Sequence, residues 1–310
     1  MFTRVLFPTD FSVYANAVFA CLPELKAAGM REVVLLGVVH PGDVPLGRAF
    51  QPETIDKLQW SAEEALHIAQ MALEGKDVRV KTRIEVGSPS AEIVRVAQEE
   101  NVDLIAIGAQ GETAVGRDVS PTRLYSLGSV ANEVMRRATV PVLIHKFHVV
   151  RELGHVECQR VCAQMFTRVL HPTDFSDCAN AAFQIVKRLK SAGTQEVILL
   201  HVQDERVMRN RPAQQLAAFD AEDTRRLEQM RRDLVLRGLK AKIELRHGIP
   251  FRETLQVAEE ENINLIVLGS HGRSAVQEML AGSTFENVAR ASRRPVLVIR
   301  REMIEQTRFN

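Results

Sequence analysis

Residues 1–19, MFTRVLFPTDFSVYANAVF, return at 165–183 as MFTRVLHPTDFSDCANAAF, with 15 identities in 19 positions. A duplication this close commits both halves of the chain to one fold. The offset between copies is 164 at Met1 and Met165, 161 at Gly108 and Gly269, and 154 at Pro141 and Pro295. Such small steps mark length changes in loops on a shared scaffold.

Within each copy, apolar runs alternate with stretches of helical periodicity, which predicts a parallel sheet covered on both faces. In the first copy the strands are read near 4–7, 32–39, 78–86, 104–107 and 140–144, and the second copy repeats all five. VVLLGVV reads as a strand buried on both faces; the alternation of Val78, Val80, Thr82, Ile84 and Val86 reads as one with a more open face. Ala15, Val18, Phe19, Leu22 and Leu25 recur at helical spacing, and longer helices are expected at 52–74 and 213–236. The chain thus divides into domain 1 (1–146), a linker (147–164) and domain 2 (165–302). Val149, Leu153, Val156 and Val161 in the linker are compatible with a short connecting helix.

A chain of 310 residues that is 45% apolar can supply two cores. Its net charge of +1 offers no field for nucleic acid or acidic membranes, and no apolar run approaches the roughly 18 residues of a membrane span. Neither nucleic acid nor a membrane is therefore expected as a partner. Four cysteines are too few for a disulfide scaffold, so a reducing cytoplasm is the simpler compartment. Cys21 and Cys178 read as core residues and Trp60 as a packing residue.

The second copy carries the chemistry. Its fourth strand runs into Gly269-Ser270-His271-Gly272, followed after nine residues by Gly282-Ser283-Thr284 at the start of a helix. Glycines let the backbone approach a ligand, and a helix N-terminus with free N–H groups and a hydroxyl favours a phosphate. The first strand ends at PTDFS, which puts Asp174 at the carboxyl edge of the sheet, where open α/β sheets bind ligands. A carboxylate there can accept from an adenine amino group or support the next helix, and the two roles are compatible.

PTDFS, LLHV, HGIP, NLIVLGSHG and GSTFENV together resemble the universal stress protein family over nearly the whole chain. The resemblance implies five-stranded doubly wound domains of order 3-2-1-4-5 that bind ATP or AMP, with Mg²⁺ on the phosphates. In domain 2 it implies Pro172, Thr173, Asp174 and Val202 at the base. Gly269, Ser270, His271, Gly272, Arg273, Gly282, Ser283 and Thr284 would then surround ribose and phosphates. Domain 1 keeps Pro8, Thr9, Asp10, Val38, Gly108, Gly111, Gly128 and Ser129, but 16 residues separate Gly111 from Gly128, seven more than in domain 2. An intact first site and a remodelled one both remain open. The family resemblance also implies domain pairing within the chain, or a homodimer.

His271 lacks a neighbouring carboxylate or nucleophile in sequence, and no GxxxxGK[ST] or GxGxxG is present, so no catalytic residue is assigned. The expected function is a nucleotide-dependent switch or sensor in stress. A slow ATPase and a scaffold that binds no nucleotide are the alternatives. His155, Cys158 and Cys162 would share a helical face, but their spacing is not a usual zinc pattern, and packing is preferred over metal. His201, near the end of a buried strand, reads as a structural histidine, and the Arg225–Arg232 region as a salt-bridged helix face.

Overall fold

The computed structural model describes residues 1–41, 52–110, 127–152, 155–160, 162, 164–209, 211–270 and 283–300, and of 52–54, 147–152 and 155–160 the backbone alone. The chain divides into two compact units, Met1–Arg160 and Val161–Asn310. The first contains β1 (Arg4–Thr9), α1 (Val13–Phe19), β2 (Glu32–Val39), α2 (Pro52–Leu73), β3 (Arg79–Val86), α3 (Pro89–Glu99), β4 (Leu104–Gly108), α4 (Ser129–Arg137) and β5 (Val142–His145). Its strands are parallel in the order β3-β2-β1-β4-β5.

Burial follows the sequence pattern. Val33 to Leu36 of β2 are fully buried, as a central parallel strand covered on both faces requires, while β3 at the edge has only half-buried and exposed positions, without strict alternation. Pro89 opens α3 at a position where its missing N–H costs nothing, and Ile93, Val96 and Ala97 turn one stripe of that helix into the core.

The unit closes with a hairpin, β6 (Phe147–Glu152) and β7 (His155–Arg160), which lies against α1. This corrects the expected connecting helix. Phe147–Glu152 pairs antiparallel with His155–Arg160, so extended backbone occupies what reads as helical spacing. An extended strand has a period of two, so the spacing that would group His155 with Cys158 on a helical face no longer does so.

The second unit contains β8 (Arg168–Pro172), α5 (Asp177–Arg188), β9 (Glu196–Asp204), α6 (Glu205–Met208), α7 (Ala213–Leu236), β10 (Lys240–Gly248), α8 (Pro250–Glu260), β11 (Leu265–Gly269), α9 (Thr284–Ala291) and β12 (Val296–Ile299). The parallel order is β10-β9-β8-β11-β12, again 3-2-1-4-5. Lys187 on α5 reaches Asp233 on α7 at 3.0 Å on one face of the sheet, and α8 packs with α9 on the other. Right-handed crossovers dictate this distribution. The strand order reverses between β8 and β11, which opens the crevice expected of a doubly wound sheet.

The units superimpose position by position. Arg79 pairs with Glu32 as Lys240 pairs with Glu196, and the fully buried Leu66 and Leu73 correspond to Leu227 and Leu234. At the amino edge of each sheet the same ionic knot recurs. Arg4 holds Glu32 and Glu100 at 2.8 and 3.1 Å; Arg168 holds Glu196 and Glu261 at 3.0 and 3.2 Å.

One further expectation is corrected and another is borne out with an addition. Trp60 is 61% exposed, because the buried face of α2 runs through Ala62, Leu66 and Leu73 and leaves Trp60 off it. Cys21 and Cys178 are buried, as expected of core residues, and Cys21 is in addition disulfide-bonded. A disulfide needs only two thiols within reach, a proximity that cysteine count does not reveal.

Candidate functional site

The PTDFS segment makes the same tight turn in both units, and its residues explain why. Thr173 Oγ1 accepts from the Phe175 N–H at 3.0 Å, Asp174 Oδ1 from the Ser176 N–H at 3.0 Å, and Ser176 Oγ from the Ala179 N–H at 3.3 Å. Thr9, Asp10 and Ser12 repeat all three contacts at 3.0, 3.1 and 3.1 Å. These bonds hold Phe11 and Phe175 at φ 57° and 60°, a region that bulky residues seldom enter and that clusters at functional sites. Ser12 and Ser176 are the helix N-caps. The aspartates stand before the cap and brace the turn that carries them.

Four segments of the second unit converge at the carboxyl ends of its strands. β8 delivers Pro172, Thr173 and Asp174; its neighbour β9 delivers Val202; β11 ends in Gly269 and Ser270; Ser283 and Thr284 start α9. Gly269 is indispensable for packing. A Cβ there would lie 2.7 Å from the Cys178 carbonyl carbon and 2.8 Å from its oxygen, backbone that cannot step aside. Ser270 is fully buried and its N–H donates to the Ile299 carbonyl at 2.9 Å, so that amide is committed to the sheet.

Ser283 differs. It is the N-cap residue of α9, with ψ 152°, yet its side chain makes no capping bond, and its Oγ is buried without a hydrogen-bond partner. An orphaned hydroxyl at the positive end of a helix dipole suits an anion. His271, Gly272, Arg273 and Gly282, like Gly111 in the first unit, lie outside the described residues.

His171, where the first copy has Phe7, is fully buried and stacks on Phe183 at 5.7 Å between centroids. Burial pushes its pKa from 6.5 down to about 4, and its Nδ1 donates to the Val267 carbonyl at 2.8 Å. It is a neutral core histidine beneath Asp174. His201 is engaged on both ring nitrogens, by the Thr173 carbonyl at 2.7 Å and by Asp223 at 3.3 Å. Gln203 donates to the same Asp223 carboxylate at 2.9 Å. Sequence spacing gave no sign of this cluster, since Asp223 lies on α7; the differences between the copies at these positions are the signal that could have found it.

A sequence model of the universal stress protein family matches residues 1–146 and again 165–300. The chain belongs to the universal stress protein family. It is similar to universal stress protein MJ0577 of Methanocaldococcus jannaschii, 36% identical over 157 residues, covering 44% of this chain and 97% of that protein. It is also similar to universal stress protein Rv2005c of Mycobacterium tuberculosis, 24% identical over 256 residues and 78% of each chain. The crystal structure of a universal stress protein from Archaeoglobus fulgidus aligns over 96% of both chains with a TM-score of 0.72 and 27% identity. The tandem arrangement is thus shared over the full length.

The first of the two universal stress protein domains has its own head-of-helix geometry at α4. Gly128 is the N-cap of α4, its N–H donates to the Ala109 carbonyl at 2.7 Å, and Ser129 is exposed. The glycine amide at the head of α4 is therefore spent within the loop. Asp10 directly follows β1 and Val38 lies on β2, as Asp174 follows the end of β8 and Val202 lies on β9. No helix among the described residues is long and apolar enough to cross a membrane.

Proposed function

We propose that domain 2 binds an adenine nucleotide, ATP or AMP, and that occupancy switches the protein during stress. The observation that carries this reading is the buried, unpartnered Ser283 Oγ at the head of α9. It stands at the last position of the Gly-rich pattern, across the crevice from the braced Asp174 turn. In this reading Asp174 and the Val202 backbone meet the base, while Gly269, the segment 271–273 and the α9 N-terminus receive ribose and phosphates. Charge-assisted hydrogen bonds of about 1.5 to 3 kcal/mol each sustain roughly micromolar affinity after entropic losses. Glu286 in the first turn of α9 opposes an anion there, and Mg²⁺ carried on the phosphates offsets that charge.

Domain 1 is assigned no nucleotide, because Ser129, its counterpart of Ser283, is exposed and offers no buried hydroxyl at the head of α4. Calorimetric titration with ATP and with AMP tests the reading. Binding that is weakened by Asp174→Ala and by Ser283→Ala supports it; no binding at millimolar nucleotide leaves the scaffold alternative. Metal-dependent phosphate release faster than about one turnover per second would make the protein an ATPase.

A further inference from the structure

Domain 2 contains a hydrogen-bonded cluster beside its base-binding edge that domain 1 lacks at every position. Strand register makes His201 the counterpart of Gly37 and Gln203 that of Val39, and the buried leucines of α2 and α7 make Asp223 the counterpart of Ala62. Three polar residues thus replace three small or apolar ones together. The rings adapt accordingly. In domain 1 a Cβ on Gly37 would lie 3.5 Å from the Phe11 ring, so Phe11 rests on the glycine. In domain 2, Phe175 packs on the His201 ring at 4.6 Å and is covered by the Arg226 guanidinium at 4.2 Å, where domain 1 has Ala65.

The backbone changes with them. β1 pairs with β2 through Thr9 and Gly37, but β8 pairs with β9 only as far as Pro172 and Leu200. Beyond that point the Thr173 N–H donates to the Leu200 carbonyl at 2.8 Å, and the Thr173 carbonyl is taken by His201 Nδ1 at 2.7 Å. A side chain thus fixes the peptide that joins Thr173 to Asp174. His201 is itself held from α7: its Nε2 faces Asp223 Oδ2 at 3.3 Å, and Gln203, 1% exposed, steadies that carboxylate. His201 also immediately precedes Val202.

We propose that His201, anchored by Asp223, is the positioning residue that gives the domain 2 site its preference for adenine. It sets the orientation of the Thr173–Asp174 peptide and of Val202, the two groups that would read the base edge. Its side-chain contacts among the described residues are to Thr173, Phe175 and Asp223, on the base side of the site, so its loss alters base recognition and leaves phosphate binding in place. Arg226 over Phe175 closes the far side of the same wedge. This inference rests on the nucleotide reading of domain 2.

The test is titration of the full chain with ATP and with GTP, for wild type, His201→Ala, Asp223→Ala and Asp223→Asn. The wild type binds ATP more tightly than GTP. His201→Ala and Asp223→Ala weaken ATP about tenfold while GTP changes less than about twofold, so the ratio collapses. Asp223→Asn, which keeps an oxygen facing His201 and Gln203, retains the wild-type ratio. Equal weakening of both nucleotides, an unchanged ratio in His201→Ala and Asp223→Ala, or a wild type that binds ATP and GTP alike overturns the inference and leaves nucleotide binding intact. Absence of ATP binding by the wild type removes the nucleotide reading and this inference together. If His201→Ala does not fold, the contrast between Asp223→Ala and Asp223→Asn decides.

Discussion

Domain 1 and domain 2 share a turn, a sheet order and an ionic knot, and differ where a ligand would sit. Both hold a phenylalanine at positive φ by the same three hydrogen bonds. In domain 1 the serine at the head of α4, Ser129, is exposed, whereas in domain 2 its counterpart Ser283 leaves a buried hydroxyl unsatisfied. Duplication preserves the turn, the sheet order and the ionic knot, and divergence falls on the head of the last helix and on the second strand.

The largest contrast is expected at the paired glycines that end β4 and β11. A Cβ at Gly269 meets Cys178 backbone at 2.7 Å, while one at Gly108 meets the Val18 Cγ2 and the Gln110 oxygen at 3.2 Å. Gly269→Ala should destabilise domain 2 by about 3 kcal/mol and Gly108→Ala should cost about 1 kcal/mol in domain 1, as read by chemical denaturation. Equal costs would mean that the two strand ends are not differently packed.

Acid sharpens the comparison further. Each domain buries one histidine at a position where the other has a hydrophobe: His145 against Ile299 and His171 against Phe7. Burial lowers both pKa values from 6.5 to about 4, so the unfolded chain takes up protons in that window that the folded chain refuses. Stability is therefore full above pH 6.5, falls as pH drops toward 4 and levels below it. The loss is up to about 3 kcal/mol per histidine. His171→Phe should flatten the acid dependence of domain 2 alone, and His145→Ile that of domain 1 alone. Denaturation at pH 7 and pH 4.5 reads both.

Smaller effects concern the helix heads. Ser283→Ala should weaken ATP about tenfold, whereas Ser129→Ala should change it less than about twofold. Comparable losses from both would place nucleotide in both domains.

Much of this was legible in the sequence. The repeat located every strand of both sheets to within about two residues, because runs such as VVLLGVV have no stable alternative to a central strand. Asp174 and Ser283 could be placed at one crevice since the carboxyl ends of parallel strands all face one edge. The hairpin was misread because Val149, Leu153 and Val156 fit a helical period, and the antiparallel pairing of Phe147–Glu152 with His155–Arg160 leaves no mark in that spacing. Trp60 was misread because a helix with apolar residues on several faces does not declare which one is buried. The His201 cluster depends on Asp223 meeting β9 across a tertiary contact, and no local spacing encodes that. The strain at Phe11 and Phe175 was equally hidden, since phenylalanine carries no preference for positive φ.

The asymmetry between the domains is tested most directly by the stoichiometry of ATP binding to the intact chain, measured by calorimetry with and without Asp174→Ala. The account predicts one ATP per chain, lost or weakened at least about tenfold by Asp174→Ala and unaffected by Asp10→Ala. Two equivalent sites, or one site that survives Asp174→Ala and disappears with Asp10→Ala, would contradict it.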